Sequence, residues 1–348
     1  MSHWKLTLAY DGTPYRGWQV QPGLPTIQGL LSEAIHRTVG QRILPQGSGR
    51  TDAGVHALAQ VASFALDVDI PAANLQRALN RCLPPGIRIL SAEIVPANFH
   101  ARHSAIGKTY EYRIFPLRPN PQCGPSFGRA SSSEIVPSLE RVPSFWPTAR
   151  ISVVAPHDPN NPDSVATPPN NIEHTTYKEE NICPPTLAPF VWPCPWPLHL
   201  DALNHAAAHI LGTHDFTSFA ATDHDLTHRT VPTDPGSPHL NSEIWVGHPP
   251  PPIRTITHSR WYAADGLLLY RVTGNGFLHH MVRNLVGTFV RCGAHRLDPA
   301  SIPTLLAARN RAAAGPTAPA SGLFLVSVDY QDLVNPLRPS KVPLTQSI

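Results

Sequence analysis

The sequence predicts an α+β fold made of two ferredoxin-like (βαββαβ) halves, with antiparallel sheets flanked by helices and an active-site cleft between them. Three observations lead there. Strand-like alternation and helix-period segments occur twice in the same order, β-α-β-β-α-β. Of the 40 prolines, 24 fall in residues 119–253, so the two series are separated by chain that resists helix and sheet interiors. No apolar run reaches the ~20 residues that cross a bilayer, so the hydrophobic 41% of this 348-residue chain belongs in a core.

The first half is expected over 1–106. "WKLTLAYD" alternates as a strand, and "TIQGLLSEAIHRTVG" carries Ile27, Leu30, Leu31, Ala34 and Ile35 at helical spacing. Thr26 is its N-cap and Gly40 its stop. The turn "GSGRTDAGVH" leads into the strand "QVASFAL", the helix "AANLQRALNRC" and the strand "IRILSAEIV". The second half is expected over 107–118 and 198–348. It opens with the strand "KTYEYRIF" and continues with a helix near "LHLDALNHAAAHILG". The strands "IRTITHSRWYA" and "LLLYRVTG" are turned by Asp265-Gly266, a hairpin signal. "GFLHHMVRNLVGTFVRC" reads as one long helix with Phe277, Met281, Leu285 and Phe289 on a face, and "GLFLVSVDY" closes as a strand. A short extra helix is expected near 301–310. Residues 119–197 and 232–252 are expected to be long, Pro-rich, acidic insertions.

Net charge is only +3, but its distribution is uneven. Residues 1–118 carry 12 Lys and Arg against 7 Asp and Glu; 119–253 carry 5 against 13; 254–348 carry 10 against 4. Two readings fit: ordinary surface solvation, or two basic halves meeting around a polyanion. The five cysteines are scattered without a C-x-x-C pair, which suits a reducing compartment better than a disulfide framework. "MSHWKLTLAYDG" lacks the features of a secretory leader, so a cytoplasmic location with no membrane contact is expected.

Asp52 is a lone carboxylate in a tight turn, two residues from Arg50, with no second acid or serine nucleophile nearby. Such an aspartate often only bonds its own backbone. The string "GRTDAGVHA", however, resembles the signature of the TruA family of tRNA pseudouridine synthases. "YDGTPYRGWQ", "FHARHSAIGKTYEYRI", "GTHDFTSFA" and "NGFLHHMVRNLVGT" resemble further blocks of that family in the same order. They cover most of both halves.

The resemblance implies isomerisation of uridine to pseudouridine at positions 38, 39 and 40 of the tRNA anticodon stem-loop. It implies Asp52 as the catalytic carboxylate, Arg283 as its ion-pair partner, and Tyr110 as the ring lying against the target uracil. It also implies a homodimer with tRNA as the partner. Breaking the N-glycosidic bond and rejoining the base through C5 needs one ionised carboxylate. That carboxylate could add to C6 or take a ribose proton; the sequence leaves both open. In a site emptied of water it needs a fixed cation. Arg283 falls four residues before Gly287, off the apolar face, and small Gly287 would let another segment approach closely. Arg50 is the other candidate cation, for RNA contact or for prising the base out. His56, with His100 and His103, is expected to contact backbone or phosphate. Arg102 and Lys108, with Arg16, Arg254, Arg260 and Arg291, are candidate phosphate contacts. The segment around Arg229-Thr230 matches the family pattern only in part.

No cofactor and no metal are expected. His205, His209 and His214, or His279 and His280, have spacings that could bind zinc. The first set lacks an acidic or cysteine partner at a telling interval, and adjacent histidines are expected to leave a helix on different faces. Two rival readings remain: a non-catalytic RNA-binding protein on the same scaffold, which would have little reason to keep Asp52, Tyr110 and Arg283 together, and, ranked last, a metallohydrolase.

Overall fold

Strand β1 (Ser2–Tyr10) shows why a sheet forms: Trp4, Leu6, Leu8 and Tyr10 are buried while the residues between them are half-buried. This is a computed structural model, and it describes residues 1–118, 181–221 and 252–331. Arg229, Thr230 and most of both expected insertions lie outside the described residues.

Helix α1 (Ile27–Val39) starts where the sequence places it. The Thr26 hydroxyl accepts the Gly29 N–H, and Gly40 closes the helix at a positive φ of 75° with its N–H donated to the His36 carbonyl. Next come the short β2 (Gln46–Gly47), β3 (His56–Leu66), α2 (Ala72–Cys82) and β4 (Ile87–Val95). Strand β5 (Ala105–Pro116) is followed by β6 (Trp192–Cys194), α3 (Leu200–Ala208), β7 (Gly212–Asp215), β8 (Ile253–Ala264) and β9 (Leu267–Gly274). Then come α4 (Met281–Gly293), α5 (Ile302–Ala308) and β10 (Leu323–Tyr330).

The ten strands among the described residues join one sheet, in the order β4-β1-β3-β10-β5-β9-β8-β7, with β2 added to β3 and β6 to β5. The seam is the short parallel pairing of β10 with β3, where Phe324 faces His56 and Leu325 faces Ala57. One continuous apolar cluster runs across it, from Trp4, Leu6 and Ile35 to Tyr112, Tyr270 and Phe289. The chain joins the sheet at this seam immediately after the Asp52 turn.

Two expectations change. The last long helix begins at Met281, not near Gly276, because His280 takes a left-handed φ of 58° that cannot continue a helix. Phe277 therefore lies outside the helix face and packs edge-on against Tyr110, at 5.0 Å between ring centroids. In addition, Trp192–Cys194, inside the expected 119–197 insertion, pairs in parallel with Ile114–Pro116 of β5. No helix among the described residues is long and apolar enough to cross a membrane. Cys82, Cys183, Cys194 and Cys292 are free thiols.

Candidate active site

The Asp52 turn is held from behind by the loop that follows β1. The Trp18 N–H donates to the Thr51 carbonyl at 3.0 Å, and the Gly54 N–H donates to the Tyr15 carbonyl at 3.3 Å. Gly17 makes this approach possible: its φ is 84°, and a Cβ there would sit 2.6 Å from the Thr51 carbonyl oxygen. The Tyr10 hydroxyl meets the Thr51 hydroxyl at 2.8 Å. The backbone around Asp52 is thus fixed, and its side chain is only 20% exposed.

Across the seam stands Arg283, 231 residues further along the chain, whose Nη1 donates to Asp52 Oδ2 at 3.0 Å. This is the ion pair expected from the sequence. A second segment seats the guanidinium: Arg283 Nε donates to the Ala318 carbonyl at 2.8 Å, and the Ala318 N–H donates back to the Arg283 carbonyl at 3.1 Å. Gly287 is what admits that segment, because a Cβ there would overlap the Pro316 carbonyl oxygen. The Thr317 hydroxyl on Asn284 Oδ1 (2.6 Å) and the Gly315 N–H on the Thr288 hydroxyl (2.9 Å) complete the lock. Arg283 is 15% exposed, so its charge acts on Asp52 with little screening by water.

Two further side chains close on the same carboxylate, from the His279-His280 pair that the sequence offered only at zinc-like spacing. His280 Nε2 lies 3.2 Å from Asp52 Oδ2, and His279 Nε2 lies 3.6 Å from Oδ1. The expectation that these adjacent histidines diverge is corrected. Both precede α4, and the left-handed backbone at His280 brings their rings together, 3.9 Å between centroids. The only signal in the sequence was a His-His pair immediately before a helix, which does not reveal a left-handed residue. Asp52, His279 and His280 offer three ligand-type atoms within 4.8 Å of one another, so these are the residues that could hold a cation. Arg283 already places a positive charge on one of those oxygens, which opposes one.

Tyr110 is 8% exposed, and Tyr112 beside it is fully buried in the core. Burial pushes the Tyr110 phenol far above its ordinary range, and the nearby Tyr10 and the Asp52 charge add to this, so the hydroxyl stays protonated. Tyr10, also enclosed, is pushed up to about 12, chiefly by burial.

The expected substrate-binding residues separate. His56 contacts backbone, one of the two expectations for it: it is 1% exposed, and both ring nitrogens are engaged within the protein. Nδ1 accepts the Gly12 N–H at 3.0 Å and Nε2 lies 3.1 Å from the Pro189 carbonyl, while the ring stacks on Phe324 at 4.6 Å. Burial lowers its pKa, Asp11 opposing, and it serves as a neutral strut under the seam. Lys108 donates from Nζ to the Ser48 carbonyl at 2.6 Å, just before Arg50. Burial, then the charges of Arg102 and Arg254, push it down to about 8, which places three cations in one electrostatic neighbourhood. Arg50 and Arg102 are exposed.

Fold and site together define an α+β protein whose paired carboxylate sits where two sets of strands meet. The description "tRNA pseudouridine synthase" belongs to a family model that matches residues 7–104, which contain Asp52, and 246–331, which contain Arg283. The chain belongs to that family. It is 38% identical over 328 residues to tRNA pseudouridine synthase A of Solibacter usitatus, covering 94% of this chain and 98% of that protein. It is 34% identical to the protein of the same name from Moorella thermoacetica, over 94% of this chain and 98% of the relative. With the Lacticaseibacillus casei protein of that name it shares 34% identity over 95% of this chain and 100% of the relative.

Proposed function

We propose that Asp52 is the carboxylate with which this tRNA pseudouridine synthase isomerises uridine in tRNA to pseudouridine. The observation that carries this is the Asp52–Arg283 pair, made across the seam at 3.0 Å in a mostly enclosed site. Arg283 keeps the carboxylate ionised when bound RNA excludes water. Asp52 then attacks the nucleoside, by adding to C6 or by taking a ribose proton. The N1–C1′ bond breaks, a C5–C1′ bond forms, and the proton lost from C5 is balanced by one gained at N1. Tyr110, backed edge-on by Phe277, is the platform for the flipped base, and its protonated hydroxyl is available for that proton traffic. Arg50, Arg102 and Lys108 contact phosphate, supported by their clustering beside the Asp52 turn.

The target sites are positions 38, 39 and 40 of the anticodon stem-loop, and the working form is a homodimer. Both come from the motif resemblance. The strand orders β4-β1-β3-β2 and β10-β5-β9-β8 support reading the scaffold as two ferredoxin-like halves with their sheets joined at the seam. The test is pseudouridine mapping on an unmodified tRNA bearing uridines at 38–40, in EDTA, with wild-type protein and Asp52→Asn. Conversion at those positions by wild type alone is the expected result. Activity surviving in Asp52→Asn would falsify the role of Asp52.

A further inference from the structure

Four non-glycine residues among those described have positive φ, and of these His280 stands at the Asp52 site. With φ 58° and ψ 4° its backbone lies in the left-handed region, which a residue bearing a Cβ rarely occupies without a compensating contact. That contact is not a helix cap, because the side chain makes no capping hydrogen bond to α4. The ring is turned onto Asp52 instead, with Nε2 3.2 Å from Oδ2.

The two carboxylate oxygens are treated differently. Arg283 Nη1 and His280 Nε2 both converge on Oδ2, at 3.0 and 3.2 Å. Oδ1 is faced by His279 Nε2 at 3.6 Å, beyond hydrogen-bonding distance. Two neighbours on one oxygen restrict rotation about the Cβ–Cγ bond and leave the lone pairs of the other for a reacting atom.

We infer that His280 is a positioning residue which, with Arg283, anchors Asp52 by Oδ2 so that Oδ1 is the oxygen that reacts. The inference rests on the reading of Asp52 as the catalytic carboxylate. The groups facing His280 are Asp52 from the turn, His279 from its own loop, Arg283 from α4 and Arg311 from the segment after α5. Burial lowers the imidazole's pKa; Asp52 opposes this, and His279, Arg283 and Arg311 add to it.

His280→Gly tests this, because glycine removes the ring and occupies the left-handed region without strain. The melting temperature is expected to hold or rise. The single-turnover rate of pseudouridine formation should fall at least about tenfold, with the Kd for unmodified tRNA within about twofold of wild type. A rate within about twofold of wild type would overturn the inference. So would a rate loss matched by equal loss of tRNA affinity or of melting temperature. Asp52→Asn is assayed alongside. If it stays active, the reading of Asp52 is wrong; if it is inactive while His280→Gly is fully active, only the role of His280 is wrong.

Discussion

The carboxylates of Glu111 and Asp52 are each paired with arginine at about 3 Å, and they differ in how many of their oxygens are taken. Glu111, 5% exposed on β5, has both occupied. Oε1 accepts from Arg113 Nε at 3.0 Å, and Oε2 accepts from Arg271 Nη2 at 2.6 Å and from the Tyr262 hydroxyl at 2.8 Å. Burial raises the Glu111 carboxyl, but Arg113 together with the Arg271 and Tyr262 bonds outweighs it and holds the group below its ordinary range. Asp52 has one oxygen anchored by Arg283, while His279 Nε2 stands 3.6 Å from the other, beyond hydrogen-bonding distance. An ion pair alone therefore does not mark a reactive carboxylate. A saturated one ties strands together, and a half-saturated one can attack.

The largest effect expected from this contrast is at Asp52. Asp52→Asn should lower the single-turnover rate by on the order of 10⁴-fold with the melting temperature nearly unchanged, measured by pseudouridine mapping and thermal denaturation. Next is Arg283→Met, which removes the fixed charge from Oδ2 and the tie to Ala318. A rate loss of about 10²–10³-fold is expected, with tRNA affinity less affected; a rate near wild type would show that the pair is structural, like that of Glu111.

Glu111→Gln should give the opposite pattern. It leaves Arg113 and Arg271 without their carboxylate, and because these are 21% and 30% exposed the cost is set below that of a fully buried pair. About 2 kcal/mol of stability should be lost in urea denaturation, with the rate at moderate temperature within about threefold of wild type. A catalytic collapse in this variant would break the comparison.

The smallest effect is in acid. Since the folded Glu111 carboxyl lies below its unfolded value, its contribution is fully present above about pH 4.3 and is lost as pH falls through the lower folded value. Stability of wild type should therefore fall faster than that of Glu111→Gln over that window. Parallel curves would mean that Glu111 is not the group responsible.

Much of this architecture was readable because it is local. Thr26 and Gly40 bound α1 through contacts a few residues away, and the alternation of Trp4, Leu6 and Leu8 needs only the two-residue period of a strand. Gly287, four residues from Arg283, signalled that a backbone would come close, though not that Pro316 supplies it. The motif places His56 four residues from Asp52. Yet Val55 and His56 already enter the interior, where Gly12, Pro189 and Phe324 enclose the ring.

What the sequence determined by itself is most of the described elements and the caps of α1. Side-chain period, capping and turn preferences are settled within about one helical turn of chain. What only the tertiary structure decided is how the site residues share the work. The parallel seam of β3 with β10 brings together groups 231 residues apart. One left-handed residue ahead of α4 turns two histidines onto a carboxylate. Which oxygen of Asp52 is approached by Arg283 and His280 depends on distances of a few tenths of an ångström, set by the close packing of segments far apart in the chain.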